Sequence, residues 1–89
     1  MRASETNEDA NALALRALAW TLAEPDRANR LLDITGLTPS DLRLRASERP
    51  VLAAILGFLE NHEPDLVACA GALGTTPAAL VAARGELDA

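Results

Sequence analysis

Eighty-nine residues allow one domain. Its apolar half is mostly Ala and Leu, with one Trp, one Phe and no Tyr, so close helix–helix contact has to replace bulky side chains in the core. Eight Arg, no Lys and thirteen acids leave a net charge of −5, which argues against general affinity for nucleic acid or for anionic membranes.

Residues 1–6 read as a frayed end. Thr6 with Asp9 three residues on resembles an N-cap pair, and the first helix is predicted from about Asn7 to Ala23. Leu13, Ala17 and Trp20, with Leu15, Leu18 and Leu22, give it a wide apolar face. Pro25 ends that helix and starts the next, about Asp26 to Thr35, with Leu31, Leu32 and Ile34 inward. Gly36 stands where a left-handed residue closes a helix.

Thr38-Pro39-Ser40-Asp41 restarts the chain, with a capping Thr, Pro at the first helical position and an acid at the positive end. The third helix, over 39–46, is predicted to turn Leu42, Leu44 and Ala46 inward and Arg43 and Arg45 outward. Ser47 is placed as the cap of the fourth helix, about 48–61. Val51, Leu52, Ile55, Leu56, Phe58 and Leu59 leave that helix almost no polar face, so it is predicted to be central. Gly57 within it would permit a close helix approach. His62 is placed at its negative end. Helix five follows, about Pro64 to Ala72, closed by Gly74. Helix six runs from Pro77 to about Gly85, with Leu80, Val81 and Arg84 marked on it, and residues 87–89 fray.

No segment alternates with period two. The expected fold is therefore all-α, a compact bundle of about six short helices spanning residues 7–86. Its turns recur. Glu24-Pro25-Asp26 returns as Glu63-Pro64-Asp65, and Gly36-x-Thr38-Pro39 as Gly74-x-Thr76-Pro77, which suggests two pseudo-repeated trihelical halves.

No catalytic constellation is apparent. The one His and the one Cys, His62 and Cys69, are separated by Pro64, so helical spacing does not bring them together. Cys69 lies in an apolar run and reads as a small buried hydrophobe. A third reading, an enzyme centred on His62 and Cys69, requires the two to meet in a pocket. The acidic cluster Glu60-x-His62-Glu63-x-Asp65 matches no zinc or calcium spacing. No cofactor motif is present. No apolar run approaches the ~20 residues of a membrane span, and no secretory signal is seen, so the cytoplasm is the expected location.

Two readings remain from different classes. The first is a non-enzymatic protein-interaction domain, an adaptor or regulator. Its candidate contacts are Trp20, a frequent interface anchor, and Arg43, Arg45 and Arg49. Dimerisation with a second copy would add buried area to a small core. The second is a helix-turn-helix regulator reading DNA with helix three through Ser40, Arg43 and Arg45. Helix six, offering Ala78, Ala79, Ala82 and Arg84, is nearly blank for hydrogen bonding. Neither helix has the basic flanks that phosphate contact needs, so nucleic acid is not the expected partner.

The segments Ala12-Leu13-Ala14-Leu15-Arg16-Ala17-Leu18-Ala19-Trp20, Glu24-Pro25-Asp26, Thr35-Gly36-Leu37-Thr38-Pro39-Ser40-Asp41-Leu42-Arg43 and Leu52-Ala53-Ala54-Ile55-Leu56-Gly57-Phe58-Leu59 together resemble a family of small alphaproteobacterial proteins, domain of unknown function 3572. The resemblance covers nearly the whole chain. It implies a compact all-helical domain and brings no activity, cofactor or catalytic residue.

Overall fold

Proline and glycine punctuate the chain into helices in the order expected of them. The computed structural model describes the backbone of residues 3–89 and the side chains from Asp9 onward. Six helices follow one another: α1 Ala3–Leu22, α2 Pro25–Thr35, α3 Pro39–Arg45, α4 Arg49–Glu60, α5 Glu63–Leu73 and α6 Pro77–Asp88, with no strand among the described residues. The shortest dimension, 18 Å, leaves room for about two layers of helices roughly 10 Å thick.

The core forms where α4 meets α1 and α6. On α4, Val51, Leu52, Ala53, Ile55, Leu56, Phe58 and Leu59 are all buried, so this helix is central, as its composition requires. α1 meets it with a face of small residues, Ala10, Ala14, Ala17 and Thr21, each at most 2% exposed. The Thr21 hydroxyl donates to the Ala17 carbonyl at 2.8 Å, which satisfies the one polar side chain buried among the described residues. α6 adds Leu80, Ala83 and Leu87, α5 adds Leu66, Cys69 and Ala70, and α2 adds Leu31. α3 buries nothing completely.

The turns behave alike in both halves. Gly36 and Gly74 both take left-handed conformations, with φ of 76° and 71°. Thr38 and Thr76 both cap, accepting from the N–H of Asp41 and of Ala79. The helices that follow do not play matching parts. α6 packs against α1 and α4, whereas α3 lies at the edge of the body. Two equivalent trihelical halves are therefore not what the packing builds.

Several expectations change. α1 is already helical at Ala3, so Thr6 lies within it rather than at a cap, and the Thr6–Asp9 pairing falls outside the described side chains. Expected fraying at residues 1 and 2 also lies outside the described residues. Leu15, Leu22, Ile34 and Leu44 are exposed, at 42, 41, 69 and 81%, because α1 to α3 are each covered on one side only. Val81 is likewise at the surface. Glu48, not Ser47, is the N-cap of α4, without a side-chain bond. Gly85 lies inside α6, which continues to Asp88.

The glycines separate into two kinds. A Cβ on Gly85 would meet nothing within 4 Å, and one on Gly57 would sit 3.6 Å from the Arg84 stem, an ordinary contact. The expected close approach at Gly57 therefore does not need glycine. Gly85→Ala should raise the unfolding free energy by about 0.5–1 kcal/mol, because it removes backbone entropy from the unfolded chain and improves helix propensity. Gly74→Ala should lower it by about 1–2 kcal/mol, since an L side chain is strained at positive φ. Urea denaturation of the two variants checks both signs.

Candidate functional site

α3 is held by its ends. The Thr38 hydroxyl accepts from the Asp41 N–H at 3.0 Å, and the Asp41 carboxylate accepts from the Thr38 N–H at 2.9 Å, a reciprocal capping box. At the other end Arg45 lies between Glu48, with Nε to Oε1 at 3.0 Å, and Asp41, at 3.5 Å. The Thr38 backbone N–H holds the Asp41 carboxyl below its usual pKa, and Glu48 raises that of Arg45. Between these ends, Leu42 and Ala46 are partly buried against the core.

The opposite side of α3 is open. Ser40, Arg43 and Leu44 are all exposed and lie at i, i+3 and i+4, on one helical face. Arg43 reaches only the Ser40 hydroxyl, at 3.2 Å, and has no carboxylate partner among the described residues. Sequence periodicity placed Leu44 inside. Seven residues make only two turns, too few for an apolar period to assign a face, and Leu42 and Leu44 cannot both point at the same neighbour.

The other sequence candidates serve the fold. Arg49 donates from Nη2 to the Glu86 carbonyl at 2.6 Å and from Nε to the Leu87 carbonyl at 3.4 Å, capping the end of α6 from the start of α4. Trp20 is half-buried against the core, and the Arg27 guanidinium lies 3.7 Å from its ring centroid. Arg27 also donates to the Trp20 carbonyl at 2.5 Å and to Glu24 at 3.1 Å. One ring face is thus covered by a cation, while the residue as a whole stays partly exposed. Of Trp20, Arg43, Arg45 and Arg49, the structure leaves Arg43 alone both exposed and without an acidic or carbonyl partner among the described residues.

His62 and Cys69 do not form a pair. His62 is the N-cap of α5 rather than the last residue of α4, and its Nδ1 lies 3.0 Å from Asp65 Oδ2. The same oxygen accepts from Arg30 at 2.9 Å. The Cys69 thiol is wholly buried. Burial pushes its pKa up, and its charged neighbours are Arg27, Arg16 and Asp65, not His62. Glu60 turns instead to Arg84, at 2.6 Å, so the acidic cluster does not converge, and among the described residues no three potential metal ligands come together.

The two glycine corners were also candidates for a DNA-reading motif. α5 and α6 meet at 100°, within the range of such corners. The exposed Ala78 and Ala82 on α6 offer no side-chain donor, and Arg84 is engaged by Glu60 and Asp88. No single helix among the described residues is long and apolar enough to cross a membrane.

The family model described as protein of unknown function (DUF3572) matches residues 7–89. The chain belongs to this family. No curated protein and no solved structure matches it. DUF3572 carries no assigned activity in its description.

Two measurements check the site chemistry. Native Cys69 should react with a thiol reagent at pH 8 only as fast as the domain opens, while the urea-unfolded chain should label at once, because the thiolate is the reactive form. The Asp41 carboxyl has a lowered folded pKa, so its contribution to α3 is fully present above the unfolded value, about 4, and is lost as pH falls through the folded value. Amide chemical shifts of Thr38 and Asp41 should therefore move below pH 4, and Asp41→Asn should abolish that movement.

Proposed function

We propose that this DUF3572 domain is a non-enzymatic protein-interaction domain, an adaptor or regulator, that engages its partner through the outer face of α3. The observation that carries the reading is Leu44, 81% exposed on a helix that buries nothing completely itself. A leucine left this far in water gains little from the fold around it. Its burial by a partner would be favourable by up to about 2 kcal/mol. Arg43 beside it offers a guanidinium to a carboxylate at the rim of such a contact. The partner implied is a protein presenting an apolar pocket edged by an acid. The domain would work in the cytoplasm, in keeping with a lone, unpaired cysteine.

A second reading, a DNA-binding regulator using α3, draws on the same exposed Arg43 and the capped glycine corner before it. Against it stand the neutralised Arg45, the two-turn length of α3 and the net charge of −5.

Tagged wild-type chain and Leu44→Asp should be used to capture partners from a native lysate, with and without nuclease. The expected result is a stoichiometric protein that survives nuclease and is lost with Leu44→Asp, while the thermal midpoints of the two chains agree within about 3 °C. Capture unchanged by Leu44→Asp would overturn the α3 surface. Capture abolished by nuclease would favour the DNA reading.

A further inference from the structure

α1 carries two faces with the same spacing. Ala10, Ala14, Ala17 and Thr21 recur at intervals of four, three and four, and all are buried against the body. On the other side, Ala12, Leu15, Ala19 and Leu22 recur at three, four and three, and all are exposed. Over these eleven residues the second set alternates small and large side chains at the three-four-three spacing by which one helix packs along another. Among the described residues the two leucines of this seam stay 42% and 41% exposed.

We infer that the seam is covered by the α1 of a second copy, in an antiparallel two-fold pairing. Three observations point to this occupant. The first is shape. In an antiparallel register Ala12 lies opposite Leu22 of the partner subunit and Leu15 opposite Ala19 of the partner subunit, so every layer sets a small residue against a large one. A parallel register would alternate Ala–Ala gaps with Leu–Leu crowding. An isologous interface requires this self-complementarity.

The second is charge. A −5 chain meeting itself brings like charges together unless the meeting surface is neutral. Residues 10–23 hold one charged side chain, Arg16. Its Nη2 is drawn aside to the Leu73 carbonyl at the end of α5, at 2.8 Å. The third is extent. That bond joins α1 to the middle of a second uncharged stretch, residues 66–83, in which Val67, Ala68 and Ala72 on α5 are exposed. The seam alone is smaller than the ~800 Å² per partner of a standard interface. The dimer is therefore one that dissociates on dilution. This inference is independent of the α3 contact, which uses a different helix.

The test is sedimentation equilibrium of the full chain over a wide concentration range, with circular dichroism on each variant. The wild-type mass should rise toward twice that of the monomer as concentration increases. Leu15→Glu should remain monomeric throughout, and Leu44→Glu should associate as the wild type does. Ala19→Arg, at an exposed alanine, decides in the same way where Leu15→Glu loses helicity. A wild-type chain that is monomeric up to its highest soluble concentration overturns the inference. So does a dimer that persists in both seam variants, or one that Leu44→Glu alone dissolves.

Discussion

Everything in this domain depends on α4 being apolar on nearly all sides and on α1 being small where it meets it. A helix with seven buried residues of twelve cannot be satisfied by one neighbour, so α1, α2, α5 and α6 gather around it. Ala10, Ala14, Ala17 and Thr21 supply little area of their own. They let the backbone of α1 come close enough for the large side chains of α4 and α6 to fill the space between. With few aromatic residues available, close approach takes the place of bulk.

The arginines complete what the short helices leave unfinished. α1, α5 and α6 have no basic residue in their own last turns, yet each ends on carbonyls that need donors. Arg27 on α2 donates to the Trp20 carbonyl of α1, Arg16 on α1 to the Leu73 carbonyl of α5, and Arg49 on α4 to the Glu86 and Leu87 carbonyls of α6. In each case one helix caps the C-terminus of another. A planar guanidinium with five donors suits this work better than an ammonium, which is a physical use for a chain whose cations are all Arg. The exposed ion pair at Arg45 and the partly exposed ones at Arg84 add less, since solvent screens them.

These commitments shape what is left for a partner. With Arg45, Arg49 and Arg84 engaged and one ring face of Trp20 covered, two open features stand out: Leu44 with Arg43 on α3, and the outer face of α1 from Ala12 to Leu22. They lie on different helices and differ in character. One is a single large side chain beside a charge, the other a repeating seam without free charge. A domain with one face for its own copy and another for a different protein is consistent with both.

Much of the architecture was legible in the residues because turn chemistry is local. Thr38-Pro39, Thr76-Pro77, Gly36 and Gly74 act on backbone within four residues of themselves, so six helices and their order could be read directly, as could the central place of α4 from its composition. The face each helix buries was another matter. Leu15, Leu22, Ile34 and Leu44 are as hydrophobic as Leu31 and Leu52, and only the arrangement of neighbours decides which of them meets a core. The roles of Arg16, Arg27 and Arg49 were equally hidden, since Arg49 meets Glu86 and Leu87 across nearly half the chain and no local pattern marks a donor for a distant helix end. By itself the sequence determined the helices and the material of the core. The tertiary structure alone decided which apolar side chains face water and which arginines are spent inside the molecule, because both depend on contacts between residues far apart in the chain.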